Sequence, residues 1–174
     1  AEIQGTSVAV PYMTARLSNW QFTYVFPVTP GPKFVRLYFY SASYSGFERS
    51  NDFFTFKVGS FTLLANFSAS ILANSPGQSD NIDKEFCINV GKSQKLNLTF
   101  IPFSSNYYAF INGIEIVSMP EDLYYRPHNV ANGEELVPLY VGQPPKSYIN
   151  DSMALEMVYR LNVGGGSISP KDDT

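Results

Sequence analysis

Apolar and polar residues alternate through the first two thirds of the chain, a pattern that predicts β-strands with one buried face. Strands of this kind are predicted over residues 21–28, 33–40, 53–58, 61–67, 84–90, 95–101 and 107–117. The alternation assigns these side chains to the core: Phe22, Tyr24, Phe26, Val35, Leu37, Phe39, Phe54, Phe56, Val58, Leu96, Leu98 and Phe100. Short strands separated by turns, such as the hairpin turn predicted at Gly59-Ser60, are typical of a β-sandwich.

The alternation ends after Pro120. Residues 121–147 have no steady period and contain many Pro and Gly, so they are predicted to form a long surface segment. Residues 151–162 are predicted to form a helix, because their apolar side chains fall on one stripe and Asp151 or Ser152 can cap the first turn. We therefore expect an all-β sandwich with one C-terminal helix and long loops.

Composition supports this fold class and excludes several functions. The 174 residues include 14 Phe, 12 Tyr and 1 Trp, which suit pleated sheets, and are enough for one domain with a tail. The net charge of -3 and the lack of a basic run argue against nucleic acid. An acidic polysaccharide would need a local basic patch. No stretch is apolar enough to span a bilayer.

Catalytic and metal-binding patterns are not evident. The carboxylates are scattered, and no nucleophile elbow, phosphate loop or zinc motif occurs, so neither a cofactor nor a metal is expected. Cys87 is the single cysteine, with two interpretations: a buried thiol on a strand, or a disulfide to a cysteine upstream of this fragment. The lone His128 lies in a polar loop, which argues against a Cys-His nucleophile.

Three N-glycosylation sequons begin at Asn66, Asn97 and Asn150. Asn97 lies on the polar face of its predicted strand, and the other two lie at element ends, so all three are expected to be exposed. This arrangement favours a secreted protein.

Aromatic pairs offer candidate platforms for sugar rings, whose apolar faces stack on aromatic side chains. The pairs are Tyr40 with Tyr44, Tyr107 with Tyr108, and Tyr124 with Tyr125. Tyrosines at sheet edges also commonly cap a core, and that alternative stays open. Arg36 and Lys57 lie on the polar faces of strands expected to be neighbours, where they would form a basic patch or simply be solvated.

Several longer stretches resemble the first malectin-like domain of plant malectin-like receptor kinases of the FERONIA, ANXUR and THESEUS type. The resemblance covers most of the chain, and its motifs are "VPYMTAR" (10–16), "FVRLYFY" (34–40), "FTLLANFSAS" (61–70), "KEFCINV" (84–90), "LNLTFIP" (96–102), "FINGIEIVSMP" (110–120) and "ALEMVYRLNVGG" (154–165).

The resemblance implies a malectin-like, jelly-roll-like sandwich on the outer side of the plasma membrane, in a single-pass receptor with a cytoplasmic Ser/Thr kinase. Residues 1–150 would form the domain without its first strands, and residues 151–174 a helix and linker toward a second malectin-like domain. The function implied is non-catalytic sensing in cell-wall and growth signalling. Its implied ligands are RALF-type peptides together with LORELEI-like GPI-anchored partners, and pectin. The alternative is a structural domain with no carbohydrate site.

The resemblance also bears on individual residues. The aromatic pair of animal malectin's sugar site falls near Tyr44-Ser45, its acidic residue near Asp122, and the strand of Tyr24 aligns as well. Related chains often carry Ala at the Gly113 position, so a continuous strand with a bulge is expected at Asn112-Gly113, although Asn-Gly also suits a hairpin turn. The full candidate ligand-binding set is Tyr24, Arg36, Tyr38, Tyr40, Tyr44, Lys57, Tyr107, Tyr108 and Asp122.

Overall fold

The computed structural model describes residues 10–120, 139–140, 147–149, 152–159 and 164. Its regular elements are β1 (Arg16–Ser18), β2 (Phe22–Pro27), β3 (Gly31–Tyr40), a 3-10 turn (Arg49–Asn51), β4 (Phe54–Val58), β5 (Phe61–Phe67), α1 (Ala69–Ala73), β6 (Asn81–Val90), β7 (Lys95–Pro102), β8 (Ala109–Ile111), β9 (Gly113–Ser118), β10 (Leu139–Tyr140), β11 (Ser147–Tyr148) and β12 (Ala154–Glu156).

Two four-stranded antiparallel sheets form the sandwich. The first has the strand order β12-β6-β3-β9 and the second the order β2-β7-β4-β5. Two short antiparallel pairs, β1 with β8 and β10 with β11, complete the described strands. The β-sandwich prediction is confirmed.

The core lies between the two sheets and consists largely of the predicted inward side chains. Seven of them have no exposed surface, namely Val35, Leu37, Phe39, Phe54, Phe56, Leu98 and Phe100. Each fully buried side chain of this size contributes about 1.5–3 kcal/mol relative to its exposed state. Tyr24 and Phe26 are only half-buried, because β2 is an edge strand.

The predicted hairpin at Gly59-Ser60 is confirmed, with β4 and β5 paired across it. Gly59 has a φ of +56°, a left-handed conformation that favours glycine. Its backbone N–H donates to the carbonyl of Asn97 over 3.0 Å, which ties the turn to β7.

The chain changes sheets at Asn112, where a continuous strand was predicted. β8 pairs with β1, whereas β9 pairs with β3, so the strand is interrupted between them and no hairpin forms. Gly113 allows close packing here, since a Cβ at this position would lie 2.6 Å from Cβ of Pro11. The prediction of a continuous strand with a bulge is wrong at this point, because the partner strand changes from β1 to β3.

The predicted C-terminal helix is also wrong where the structure describes it. Ala154–Glu156 forms β12, which pairs with β6 at the edge of the sheet. Leu155 packs against an apolar cluster that includes Phe34 and Cys87. Pairing and packing therefore override a helical pattern that was only local. The short helix α1 lies earlier in the chain and is capped by Ser68.

Candidate functional site

A groove opens at the side of the sandwich, where β1, the edge strand β2 and the β8–β9 junction meet. Its volume is about 430 Å³, and its lining residues are Thr14, Ala15, Arg16, Tyr24, Phe26, Ile111, Asn112, Gly113 and Ile114. Two sheet edges bound this side of the molecule, because β2 and β9 each have a single paired neighbour among the described strands.

Arg16 is the charged residue of the groove. Pairing of β1 with β8 places it opposite Ile111, and its Cζ lies 4.5 Å from the ring centroid of Phe22 and 4.9 Å from that of Tyr24. A guanidinium stacked on aromatic rings keeps its N–H edges available for a carboxylate. Arg16 takes part in none of the ion pairs formed among the described residues. It can therefore serve as an anion contact.

Half-buried aromatic rings form the wall beside Arg16. The rings of Tyr24 and Phe26 are stacked with an interplanar angle of 24° and centroids 5.9 Å apart. Phe22 continues this row at the buried end, edge-on to Tyr24 at 5.9 Å. An apolar aromatic wall with a cation at one end suits a ligand that has an apolar face and an acidic group.

Asn112 fixes the opposite wall through a dense set of hydrogen bonds. Its Oδ1 accepts from the backbone N–H of Tyr40 at 2.7 Å. Its Nδ2 donates to the carbonyls of Thr14 and Tyr12, at 3.0 and 3.2 Å, and to the hydroxyl of Tyr44 at 3.0 Å. Asn112 thus joins the lead-in to β1, the end of β3 and the β8–β9 junction, and it positions the groove.

The candidate platform of Tyr40 and Tyr44 is not an open pair of rings. Tyr44 is 4% exposed, donates its hydroxyl to the carbonyl of Tyr40 at 3.0 Å, and has a pKa raised by burial. Tyr40 is half-buried and packs against Tyr12 at 6.4 Å. Burial therefore leaves Tyr44 in a structural role.

Tyr107 and Tyr108 also differ in burial, so they do not form an open pair of rings. Tyr108 is 2% exposed, and burial raises the pKa of its hydroxyl. Tyr107 is half-buried beside Phe53 and Phe103, at centroid distances of 5.8 and 5.6 Å. Of this pair, Tyr107 alone keeps access to solvent.

Arg36 and Lys57 do not form a basic patch, which was one of the two alternatives for them. Their strands, β3 and β4, belong to different sheets, so the two side chains lie on opposite outer faces of the sandwich. Arg36 is ion-paired with Glu85 and, at 3.1 Å, with Glu115. Tyr38 also donates to Glu115, at 2.9 Å, and these contacts lower the pKa of Glu115. The assumption that these two strands are neighbours is wrong, because β3 and β4 follow each other in the sequence but belong to different sheets.

Of the candidate ligand residues, Tyr24 lies in the groove, whereas Asp122 lies outside the described residues. Sequence reasoning did not single out Arg16, Phe26 or Asn112. The available signal was weak: a cation in a short strand just before a row of alternating aromatics.

Neither a metal-binding cluster nor a membrane-spanning helix occurs in the part of the chain that the structure describes. It holds no group of three or more His, Cys, Asp or Glu side chains able to bind a metal. None of its helices is long and apolar enough to cross a membrane. Cys87 is a buried thiol on β6, with its Sγ 3.8 Å from Sδ of Met119, and burial raises its pKa. His128, Tyr124, Tyr125 and Asn150 fall outside these residues.

The two-sheet sandwich with long connecting loops is the architecture of a malectin-like domain. The chain belongs to the malectin-like domain family, whose pattern matches residues 1–174. It is 50% identical over 167 residues to the receptor-like protein kinase FERONIA of Arabidopsis thaliana, covering 95% of this chain and 18% of the relative. It is 35% identical to the receptor-like protein kinase ANXUR1 of the same plant, and the match covers 95% of this chain and 18% of that relative.

Solved structures of these receptors share the fold. The crystal structure of the plant receptor-like kinase FER matches with a TM-score of 0.76 and 47% identity, over 99% of this chain and 41% of that chain. A crystal structure of the plant peptide RALF23 in complex with FER and LLG2 matches with a TM-score of 0.72 and 47% identity. This match covers 93% of this chain and 39% of that chain.

The chain spans less than half the length of the receptor structures it matches and about a fifth of the curated receptors. It corresponds to ectodomain sequence, and the kinase domain lies elsewhere in those relatives. The chain is a binding domain of the malectin-like type.

Proposed function

We propose that this chain is the first malectin-like domain of a plasma-membrane receptor-like Ser/Thr kinase, where it senses extracellular ligands for cell-wall and growth signalling. In this arrangement the domain faces the cell exterior, a second malectin-like domain follows it, and a single transmembrane helix connects to the kinase. The supporting observation is its 47% identity and common fold with the FER ectodomain.

RALF-type peptides, held together with a LORELEI-like GPI-anchored protein, are the proposed protein partners. The support is the complex of FER with RALF23 and LLG2, in which the FER chain shares 47% identity with this one. The chain would contribute one part of a larger receptor surface, since it spans only 39% of that FER chain.

A binding experiment tests this pairing directly. The longer ectodomain and the present chain are each secreted, immobilised and exposed to a synthetic RALF-type peptide, with and without a soluble LORELEI-like protein. We expect the longer ectodomain to retain peptide and partner together. Failure of the ectodomain to bind the peptide under either condition would contradict the proposal.

Pectin is the proposed carbohydrate ligand, and the groove is its proposed site. De-esterified pectin carries carboxylates on pyranose rings, which matches a stacked guanidinium at Arg16 beside the rings of Tyr24 and Phe26. Because the chain carries a net charge of -3, an acidic polymer depends on this local cation.

Calorimetric titration with an oligogalacturonide tests the groove. We expect Arg16→Gln to weaken binding roughly tenfold, as for loss of one charge-assisted contact. Lys57→Gln is the matched control and should bind like wild type, because Lys57 lies on the outer face of the β2-β7-β4-β5 sheet and does not line the groove. A fully methyl-esterified oligomer of equal length should bind weakly to all three proteins. An equal loss of affinity in the two variants would mean that Arg16 is not part of the binding site.

The alternative function is a structural domain that packs on the second malectin-like domain and has no carbohydrate site. The favourable observation is that Tyr44 and Tyr108, two of the candidate sugar-platform residues, are buried. Absence of oligogalacturonide binding by the wild-type ectodomain, combined with intact peptide binding, would select this alternative.

A further inference from the structure

The outer face of the β2-β7-β4-β5 sheet differs from the groove side in composition. Its side chains are mostly small and polar or positively charged, and they include Thr23, Val25, Thr55, Lys57, Lys95, Asn97 and Thr99. Asn97 belongs to β7, one of the two inner strands of this sheet, so it lies within the face rather than at its margin.

The surroundings of Asn97 leave room for a large substituent. On one side it is paired with Val25, which is 57% exposed. On the other side its carbonyl accepts a hydrogen bond from the backbone N–H of Gly59. The space beside Gly59 is open, since a Cβ added there would have no atom within 4 Å. The Asn97 side chain is exposed and makes no hydrogen bond among the described residues.

The sequon itself is compatible with the fold. Asn97, Leu98 and Thr99 follow the alternation of β7, so Leu98 enters the core while the acceptor and the hydroxyl both face outward. The Thr99 hydroxyl shares a 2.9 Å hydrogen bond with that of Thr23. Modification of Asn97 therefore disturbs no buried contact.

We propose that Asn97 carries an N-linked glycan that shields the outer face of the β2-β7-β4-β5 sheet from macromolecules. A glycan attached within a four-stranded face reaches over neighbouring strands, and Val25 lies directly beside it. Protein partners of the domain then approach the groove side or the β12-β6-β3-β9 sheet. Use of the acceptor in the cell rests on the extracellular location proposed above.

Occupancy is measured on chain secreted from eukaryotic cells behind an added secretion signal, a test independent of peptide or pectin binding. Enzymatic removal of N-glycans converts an occupied Asn to Asp, which peptide mass spectrometry detects. We expect Asn97 to be occupied, Thr99→Ala to abolish the modification, and Thr99→Ser, which keeps the sequon, to preserve it. An unmodified Asn97 in well-folded secreted protein would overturn the proposal.

Shielding is measured by labelling of an introduced thiol. Val25→Cys should react with a bulky polymer-maleimide several-fold more slowly before glycan removal than after it. Val117→Cys, 40% exposed on β9 of the other sheet, should react at the same rate in both states. The native Cys87 is buried and provides the background. Equal rates at Val25→Cys in both states would overturn the shielding.

Discussion

Asn112 shows how one side chain can organise the candidate site. It accepts from Tyr40 and donates to two carbonyls of the segment that leads into β1. These contacts are between parts of the chain about 70 and 100 residues apart, so they stabilise tertiary rather than local structure.

Replacing Asn112 should therefore destabilise the domain. Asn112→Ala leaves the Tyr40 N–H without its acceptor and should lower the free energy of unfolding by about 2–3 kcal/mol. Urea denaturation of secreted protein measures the change. Asn106→Ala, at an exposed loop position, is the control and should stay close to wild type. Similar midpoints for the two variants would mean that the network carries little stability.

Asp52 is a second buried polar residue with a testable consequence. It is 1% exposed and accepts from the Ser68 hydroxyl at 2.5 Å and from the Ser70 N–H and hydroxyl, each at 2.7 Å. Burial raises its pKa, although these hydrogen bonds oppose the increase. The folded state therefore binds the proton more tightly than the unfolded state does.

The pH dependence of stability follows from this sign. A raised pKa in the folded state gives a contribution that is complete below the unfolded value of about 3.9 and is lost as pH rises through the folded pKa. Asp52→Asn removes this titration, so wild type should gain stability relative to the variant as pH is lowered from neutral. Urea denaturation across that range tests it, with Asp83→Asn as control, because Asp83 is exposed on β6 and takes part in none of the ion pairs among the described residues. Parallel pH profiles for wild type and Asp52→Asn would contradict the expectation.

At the scale of elements, the β4–β5 hairpin depends on a left-handed glycine. Gly59→Ala places a Cβ at a φ of +56° and should cost about 1 kcal/mol of stability from backbone strain alone, because the space beside it is empty. Gly91→Ala is the matched control, since Gly91 has similar space without a left-handed φ. Equal denaturation midpoints for both variants would show that the turn relaxes without cost.

The elements also show what the sequence could predict. Strand faces such as Leu96, Leu98 and Phe100 were predicted correctly, because alternation is a local property of the chain. The break at Asn112 and the strand at Ala154–Glu156 were not, since each depends on a partner strand distant in sequence. Local pattern alone cannot supply that partner.

In the candidate site, too, sequence reasoning found some residues and missed others. Tyr24 was selected through the family resemblance, because its strand aligns with animal malectin, whereas the alternation of β2 alone assigned it to the core. Arg16 was missed because its contact with Tyr24 requires β1 to pair with β8 rather than with the next strand along the chain. The incorrect pairing of Arg36 with Lys57 came from treating order in sequence as order in a sheet.

At the scale of the whole molecule, net charge and local charge have opposite effects on the affinity for an acidic ligand. The net charge of -3 repels a polyanion at long range, whereas Arg16 attracts it at short range. Mobile ions screen the long-range part most strongly, since the Debye length is about 10 Å at 0.1 M salt. Arg36 adds little to the attraction, because it is already paired with Glu85 and Glu115.

These opposing contributions predict an unusual salt dependence for oligogalacturonide binding. Raising ionic strength from about 0.05 to about 0.5 M weakens the contact with Arg16 but also removes the overall repulsion, so wild-type affinity should change little. Arg16→Gln loses the attraction and keeps the repulsion, so its affinity should rise with salt and approach that of wild type. Calorimetry on both proteins across this range measures the two trends. A steep fall of wild-type affinity with salt would instead indicate a larger basic surface, involving residues beyond Arg16.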